Sequence, residues 1–286
     1  MARLAYVNGR YVSHASASVH IEDRGYQFAD GVYEVVPIRD GCLVDEEPHL
    51  DRLGYSLGEL RIPWPMRREA LQIILRELIR RNGVDNGIVY LQVTRGVAPR
   101  DHKFPARSKP SLVATTRRMR ATAPDLLATG ASVVTRPDIR WRRCDIKSIS
   151  LLPNVLGKQA AIEAGAYEAW LVDSDGYITE GTSTNAWIVT RDGRLVTRDR
   201  SRAILSGITR LALLALLKSD SIAFEERPFT VAEAKTAAEA FLTSSSSFVL
   251  PVTRIDDTSI GDGKPGRLTM KLRDIFIEHV AAEVAR

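Results

Sequence analysis

Short polar turns, each set between two strand-like runs, constrain this chain more than any other feature. Asn8-Gly9 separates residues 4–7 from 10–13, and Asp40-Gly41 separates 32–38 from 42–44. Ser174-Asp175-Gly176 separates 168–173 from 178–180, and Asp192-Gly193 separates 186–190 from 194–197. Asn-Gly is suited to the φ > 0 positions of a type I′ turn, whose twist matches that of the strands it joins. Both halves of the chain are therefore committed to local antiparallel pairs. Helical patterns fall between them without regular βαβ alternation, so an α+β fold in two domains is expected rather than a doubly wound parallel sheet.

The helical segments carry their own signals. Residues 48–60 begin with Pro48, and residues 67–82 place Leu71, Ile74, Leu75, Leu78 and Ile79 on one stripe. Gly165 closes a helix over 153–164, Ser206 is positioned to cap one over 208–217, and Thr230 with Glu233 forms a capping box for the next. A last amphipathic helix runs over 268–284. Further strands are expected at 88–94, 111–116, 131–135, 144–149, 241–243 and 248–252. Residues 118–130, with Pro124 and weak periodicity, read as a linker between a small N-terminal domain (1–120) and a larger C-terminal one (121–286).

Composition narrows the class. With 44% hydrophobic and 26% charged residues in 286, the chain has apolar surface for a core and the length of two modest domains. Its most apolar helix, 208–217, falls well short of the ~18 residues a membrane span needs. The N-terminus lacks the apolar stretch of a signal peptide, which makes a cytoplasmic enzyme the expectation. The net charge of +5 comes from 32 Arg and only 8 Lys. The arginines are scattered, not gathered into a stripe with interleaved aromatics, which argues against a nucleic-acid binder. Their densest groups, Arg117, Arg118 and Arg120, and Arg140, Arg142 and Arg143, read as solvated faces. Cys42 and Cys144 suggest neither a disulfide nor, with the five histidines, a metal site.

Three features of the second half could carry chemistry. Lys147 sits in RCDIKSISLL among Ile146, Ile149, Leu151 and Leu152, in an apparent core strand. Burial there would lower its pKa and leave a free amine able to form a Schiff base, the alternative being an edge-strand lysine. YITEGTSTN ends a strand on Glu180, a carboxylate able to hold the protonated nitrogen of a pyridine ring; the bland reading is a strand-ending Glu beside a hydroxyl-satisfied turn. LSGITR opens a helix, where Gly207 admits close backbone approach and the N–H groups of Ile208 and Thr209 face an anion, or else SG is only a cap. The run from Ser244 to Ser247 could add hydroxyls to a phosphate or form a polar loop. In the first half, Arg52 of HLDRL could clamp a phosphate or pair on the surface with Glu46, Glu47 or Asp51. Arg100 and His102 in VTRGVAPRDHKFP could converge on a carboxylate.

Taken in order, EDRGYQFADGVYEVV, HLDRL, QVTRGVAPRDHKFP, RWRRCDIKS, TEGTSTN, LSGITR and FLTSSSSF resemble the fold type IV, or class IV, aminotransferases. Within that group the chain most resembles the bacterial D-amino acid (D-alanine) aminotransferases, from about Tyr6 to Arg273. The resemblance implies a two-domain fold with pyridoxal 5′-phosphate in the cleft. It gives Lys147 the Schiff base and the proton shuttle at the substrate Cα, and Glu180 the pyridine nitrogen. Arg52, Leu205, Gly207, Ile208, Thr209, Ser244 and Ser245 would surround the phosphate end of the cofactor. Tyr33, Val35 and Ser183 would line the substrate, with Arg100 and His102 as a carboxylate trap contributed by the neighbouring subunit of a homodimer. Two details depart from the pattern. Ser245 stands where a relative carries Thr, and Pro37 is expected to shorten the strand edge after VYEVV.

The reaction implied is ping-pong transfer of nitrogen from a D-amino acid such as D-alanine to 2-oxoglutarate or pyruvate. The same cofactor family also contains branched-chain L-amino acid aminotransferases and aminodeoxychorismate lyases. The intact PRDH at residues 99–102 favours the D-specific reading.

Overall fold

The computed structural model describes residues Arg3–Ala285. The chain divides into two compact units. One contains the chain up to Arg120, Ile146–Ser150 and the residues from Glu283 on; the other contains Ala121–Asp145 and Leu151–Ala282.

The first unit is built on a fully antiparallel six-stranded sheet. Its strands are β1 (Leu4–Val7), β2 (Arg10–Ser13), β3 (Gly31–Arg39), β4 (Cys42–Leu43), β5 (Gly87–Thr94) and β6 (Ser111–Arg118), in the order β2-β1-β6-β5-β3-β4. Asn8 and Gly9 both take positive φ (45° and 97°), as do Asp40 and Gly41 (48° and 77°), so these two turns form as their sequences require. Helix α1 (Arg24–Phe28) precedes β3, while α2 (Glu46–Glu59) and α3 (Arg68–Asn82) follow β4. Leu50, Leu53 and Leu57 of α2 and Leu71, Leu75 and Leu78 of α3 form one core with Val32, Val89, Leu91 and Val93 of the sheet. Alternation along β3 buries Val32, Glu34 and Val36 on one face and leaves Tyr33 and Val35 half-buried on the other.

The second unit holds a mixed nine-stranded sheet. Its elements are α4 (Pro124–Thr129), β7 (Ala131–Pro137), α5 (Leu152–Glu163), β8 (Glu168–Val172), β9 (Ile178–Gly181), β10 (Asn185–Val189), β11 (Leu195–Thr197), α6 (Ile208–Ser219), β12 (Phe224–Glu226), α7 (Val231–Lys235), β13 (Glu239–Ser244), β14 (Phe248–Ile255), β15 (Thr258–Ser259) and α8 (Arg267–Val284). The order is β12-β11-β10-β13-β14-β7-β8-β9, with β15 on β14. Pairs β11/β12, β14/β7 and β7/β8 are parallel. Trp170, Ile178, Ile188, Phe229, Leu242 and Leu250 lie in its core.

Four local expectations are corrected. Residues 144–149 do not form a strand: Ser148 N–H donates to the Ile146 carbonyl two residues back (2.7 Å), which kinks the backbone and leaves one bridge, Ser148 to Val32. Pro37 does not shorten β3, which continues to Arg39. The Pro37 carbonyl accepts Val44 N–H (3.0 Å) on the side of β4, so its missing N–H falls where the β4 ladder has already ended. Part of the expected linker is helical, because Pro124 sits in the first turn of α4. Ser206 does not cap α6; the cap position is Gly207, with no side-chain cap bond, whereas Thr230 does accept Glu233 N–H (3.1 Å) at the start of α7. Among the described residues, no helix is long and apolar enough to cross a membrane.

Candidate active site

In the first unit, Lys147 lies beside β3. Its carbonyl accepts Tyr33 N–H (3.0 Å), and Ile149 N–H donates to Gly31 O (3.1 Å), so residues 147–149 line the edge of β3 opposite β5. The Lys147 N–H donates to Ser56 Oγ on α2 (3.2 Å). This pairing makes Lys147 and Tyr33 cross-strand neighbours, and Lys147 Nζ stands 4.3 Å from the Tyr33 ring centroid. The lysine is half-buried and not sunk in a core strand as its apolar flanks suggested; Ile146 and Ser148 take the buried positions. Tyr33, Val35, Tyr90 and Gln92 are half-buried together on this side of the sheet, with Tyr90 Oη donating to Gln92 Oε1 (2.6 Å). An amine on a partly open, partly aromatic floor can meet a small substrate.

The opposite face of β3 carries Glu34, which is fully buried. Arg52 on α2 grips it in a fork, Nε to Oε1 at 2.8 Å and Nη2 to Oε2 at 2.7 Å. His49, one helical turn earlier, approaches Oε2 at 2.8 Å. Burial opposes ionisation of Glu34, yet Arg52 and His49 together hold its carboxyl far below the usual carboxylate range. Burial pushes His49 down, so the imidazole is neutral and Nδ1–H donates to the carboxylate. Arg52 is thus committed to Glu34. Arg76 takes Glu46, and Arg68 takes Glu47 and Asp51.

Arg100 and His102 are exposed and flank one ring: the Arg100 guanidinium lies 5.1 Å from the Phe28 centroid and the His102 ring 5.6 Å from it. Arg24 donates to the Asp101 carbonyl (2.6 Å), and Arg24 and Arg95 are both anchored on Asp30 (2.8 and 2.7 Å). The loop is thus held at its root with its tip open to solvent. Among the described residues, no hydrogen bond, ion pair or ring contact joins Arg100 or His102 to Lys147, Tyr33 or Val35.

In the second unit, Glu180, next to last in β9, lies in a buried polar cluster. Asn185 Nδ2 donates to Oε2 (3.0 Å) and Leu205 N–H donates to Oε1 (3.0 Å), while Arg140 forms a close ion pair with Oε1. Asn185 Nδ2 also donates to the Leu205 carbonyl (3.0 Å), which stitches β10 to the turn that opens α6. Gly207 is required there: a Cβ would stand 2.0 Å from Asn185 Oδ1. At the uncapped N-terminus of α6, the N–H groups of Ile208 and Thr209 have no intrahelical partner and present the positive end of the helix dipole.

The hydroxyls after Glu180 serve a different carboxylate. Thr182 (2.5 Å) and Ser183 (3.1 Å) donate to the fully buried Glu168, so the hydroxyl of the otherwise exposed Ser183 is already engaged. In the serine run, Ser244 bonds Ser246 (3.1 Å) and Ser247 (2.7 Å) within its own turn. Ser245 makes no side-chain hydrogen bond among the described residues and keeps its hydroxyl for another partner.

The family is decided by a model of amino-transferase class IV, which matches residues 31–255. The chain is a class IV aminotransferase. A D-alanine aminotransferase of Bacillus licheniformis is 41% identical over 279 residues, covering 98% of both chains. The fold IV-transaminase of Curtobacterium pusillum is 26% identical, with a TM-score of 0.80 over 96% of this chain and 98% of that one. A branched-chain amino acid aminotransferase from Escherichia coli superposes with a TM-score of 0.88 over 99% and 96% at 23% identity, a likeness of fold alone. The α+β expectation thus resolves into the fold type IV architecture.

Class IV aminotransferases use pyridoxal 5′-phosphate, and the donor set fits that group. Glu180 is a buried carboxyl that shares Arg140 with Asp138, and the α6 N-terminus, shaped by a glycine a Cβ would crowd, has N–H groups suited to an anion. Sequence reasoning passed over Glu34, His49, Asp138, Arg140 and Asn185, which form the hydrogen-bond networks around Arg52 and Glu180. Glu34 left a signal, a carboxylate at a core-face position of a strand between Val32 and Val36. Arg140 left none, since it was grouped with two exposed or half-exposed arginines, Arg142 and Arg143.

Proposed function

We propose that this aminotransferase moves nitrogen from a D-amino acid such as D-alanine to a 2-oxo acid, 2-oxoglutarate or pyruvate, with Lys147 as its catalytic residue. The observation that carries the reading is the Lys147 amine, 4.3 Å from the Tyr33 ring on the partly open face of the first sheet. The D-alanine aminotransferase similar over 98% of this chain supports the choice of enantiomer. Pyridoxal 5′-phosphate, when bound, supplies an electron sink that acidifies the substrate Cα–H.

Lys147 would hold the cofactor, and its amine would take and return the proton at the substrate Cα. Tyr33, beneath that amine, keeps it directed into the site. Glu180 would accept a hydrogen bond from the ring nitrogen, and the N–H groups of Ile208 and Thr209, the Ser245 hydroxyl and Arg52 would hold the phosphate. Glu34 fixes the plane of the Arg52 guanidinium. Val35 borders the substrate side chain. Arg100 and His102 hold the substrate carboxylate, and because their loop tip is exposed they do so across a homodimer. Leu152, Val155 and Leu156, exposed at i, i+3 and i+4 on α5, supply apolar surface for a partner subunit. The enzyme is read as cytoplasmic.

The test is the visible spectrum of cofactor-loaded protein before and after separate additions of D-alanine and L-leucine. Conversion to the aminated cofactor by D-alanine alone is expected. A response to L-leucine alone would make the enzyme a branched-chain aminotransferase instead. No visible band after loading would overturn the Lys147 assignment.

A further inference from the structure

The buried arginine beside Glu180 has no part in the scheme above, yet its surroundings are built with unusual completeness. Arg140 spends its guanidinium on four partners in the second unit. Nε and Nη2 fork onto Asp138 (2.9 and 2.7 Å), Nη2 also reaches Thr179 Oγ1 (3.2 Å) and the Ala203 carbonyl (3.0 Å), and Nη1 meets Glu180 Oε1. Thr179 Oγ1 in turn donates to Asp138 (2.7 Å), so the fork is locked from both sides. Nothing in the sequence spacing demands this. Asp138 and Arg140 follow the end of β7, and Glu180 lies forty residues on.

The charges in this cluster do not cancel. One guanidinium is shared between two carboxylates, Asp138 and Glu180, leaving the group one negative charge in excess. Arg210, a further buried cation, is paired with its own carboxylate, Glu226 (2.7 Å), and brings no net charge. Burial opposes ionisation of Asp138, but Arg140 and Thr179 overcome it and hold the carboxyl below its usual range. At Glu180 burial prevails and the carboxyl is pushed up despite Arg140. Cys144, also buried here, is pushed up to about 12 and stays a neutral thiol. Of the two acids, Asp138 is satisfied by the arginine, and Glu180 is held in place but left wanting a second cation.

We infer that Arg140, clamped by Asp138, is the positioning residue that fixes Glu180 as a carboxylate aimed at a protonated ring nitrogen, leaving the cluster one positive charge short so that the cofactor supplies it. The inference rests on the assignment of Glu180 to that nitrogen. Without the guanidinium, a buried Glu180 has no cation to favour its ionised form, and the proton shared with the ring returns to the carboxyl. The ring then remains neutral and a poorer electron sink. Too strong a neutralisation would also fail, because a Glu180 fully matched by its own arginine would have little call on a cationic ring. The Asp138 fork prevents that by drawing two of the guanidinium nitrogens away.

The experiment is 15N NMR of enzyme loaded with pyridoxal phosphate labelled at the ring nitrogen, which separates protonated from neutral pyridine, together with the cofactor dissociation constant. The variant is Asp138→Asn with Arg140→Met, which removes one charge of each sign and keeps the excess at one. A resonance moved to the neutral-pyridine position, with at least tenfold weaker cofactor binding, is expected. A wild-type resonance and affinity in that variant, while Glu180→Gln loses both, would make Arg140 merely structural and overturn the inference. A wild-type resonance in Glu180→Gln would instead overturn the assignment of Glu180 itself. Should the double variant fail to melt cooperatively, Arg140→Lys decides, because a lysine keeps the charge without the fork. A resonance shifted part-way supports the inference, and an unshifted one overturns it.

Discussion

Replacing Glu34 with Gln isolates one buried charge pair. Glu34 is wholly inaccessible and Arg52 nearly so, and two hydrogen bonds of 2.8 and 2.7 Å join them in a fork. The amide side chain offers one acceptor where the carboxylate offered two, and turns its N–H₂ toward a guanidinium that can only donate. Removing one partner of such a pair leaves the other charge buried and uncompensated, a loss of about 3–5 kcal/mol. Taking about 3 kcal/mol and ~2–4 °C per kcal/mol for a chain of this size, the melting midpoint should fall by roughly 6–12 °C. The pH dependence is a sharper check. The folded-state pKa of Glu34 is depressed, so its stabilising effect is complete above the unfolded carboxylate value of about 4.3 and is lost as pH falls toward the folded one. Neutral His49 adds a loss of the same sign on acidification, because its folded pKa is also lowered. Thermal melts of both proteins from pH 7 to pH 3 should therefore show a gap that is widest near neutrality and narrows below about pH 4. A midpoint within about 2 °C of wild type at pH 7, or a gap independent of pH, would refute the claim that this pair is ionised and structurally essential.

Other perturbations test the site more directly. Lys147→Ala should reduce transamination by at least ~10³-fold with an unchanged melting midpoint, and a turnover within tenfold of wild type would remove its catalytic role. Gly207→Ala places a methyl 2.0 Å from Asn185 Oδ1 and forces Asn185 off Glu180 and Leu205. It should lower stability by about 1–3 kcal/mol and weaken cofactor binding; dialysis and melting measure both. Thr230→Ala deletes the cap of α7 and should cost about 1 kcal/mol by denaturant titration, with kcat unaffected. A thiol reagent at pH 8 should modify one cysteine per chain, exposed Cys42, because Cys144 is buried with its pKa pushed up to about 12; two equivalents in folded protein would contradict this.

The parts legible from sequence were those whose physics is local. Asn8-Gly9, the stripe from Leu71 to Ile79 and the Thr230 cap each depend on residues within a few positions, and each element formed where expected. What could not be read were partnerships across long separations. Glu34 and Arg52 are eighteen residues apart and Arg140 and Glu180 forty, on elements whose packing no periodicity specifies. The Lys147 segment misled because its apolar neighbours mimic a core strand. Ile146 does reach the first core, but a kink at Ser148 leaves the lysine half-open.

That excursion of Ile146–Ser150 bears on how the protein is made and how it can be cut. The first unit needs a strand-edge partner for Gly31 and Tyr33 that is encoded after residue 145, so a ribosome-bound chain ending at Arg120 holds an unfinished sheet edge without its lysine. A gene fragment stopping there lacks Ile146–Ser150 and the unit's last stretch from Glu283 on, both encoded downstream. Exchange of this unit between related enzymes at a single crossover point would separate Lys147 from the strand that seats it. Recombinants that fold should be those that carry both stretches from one parent.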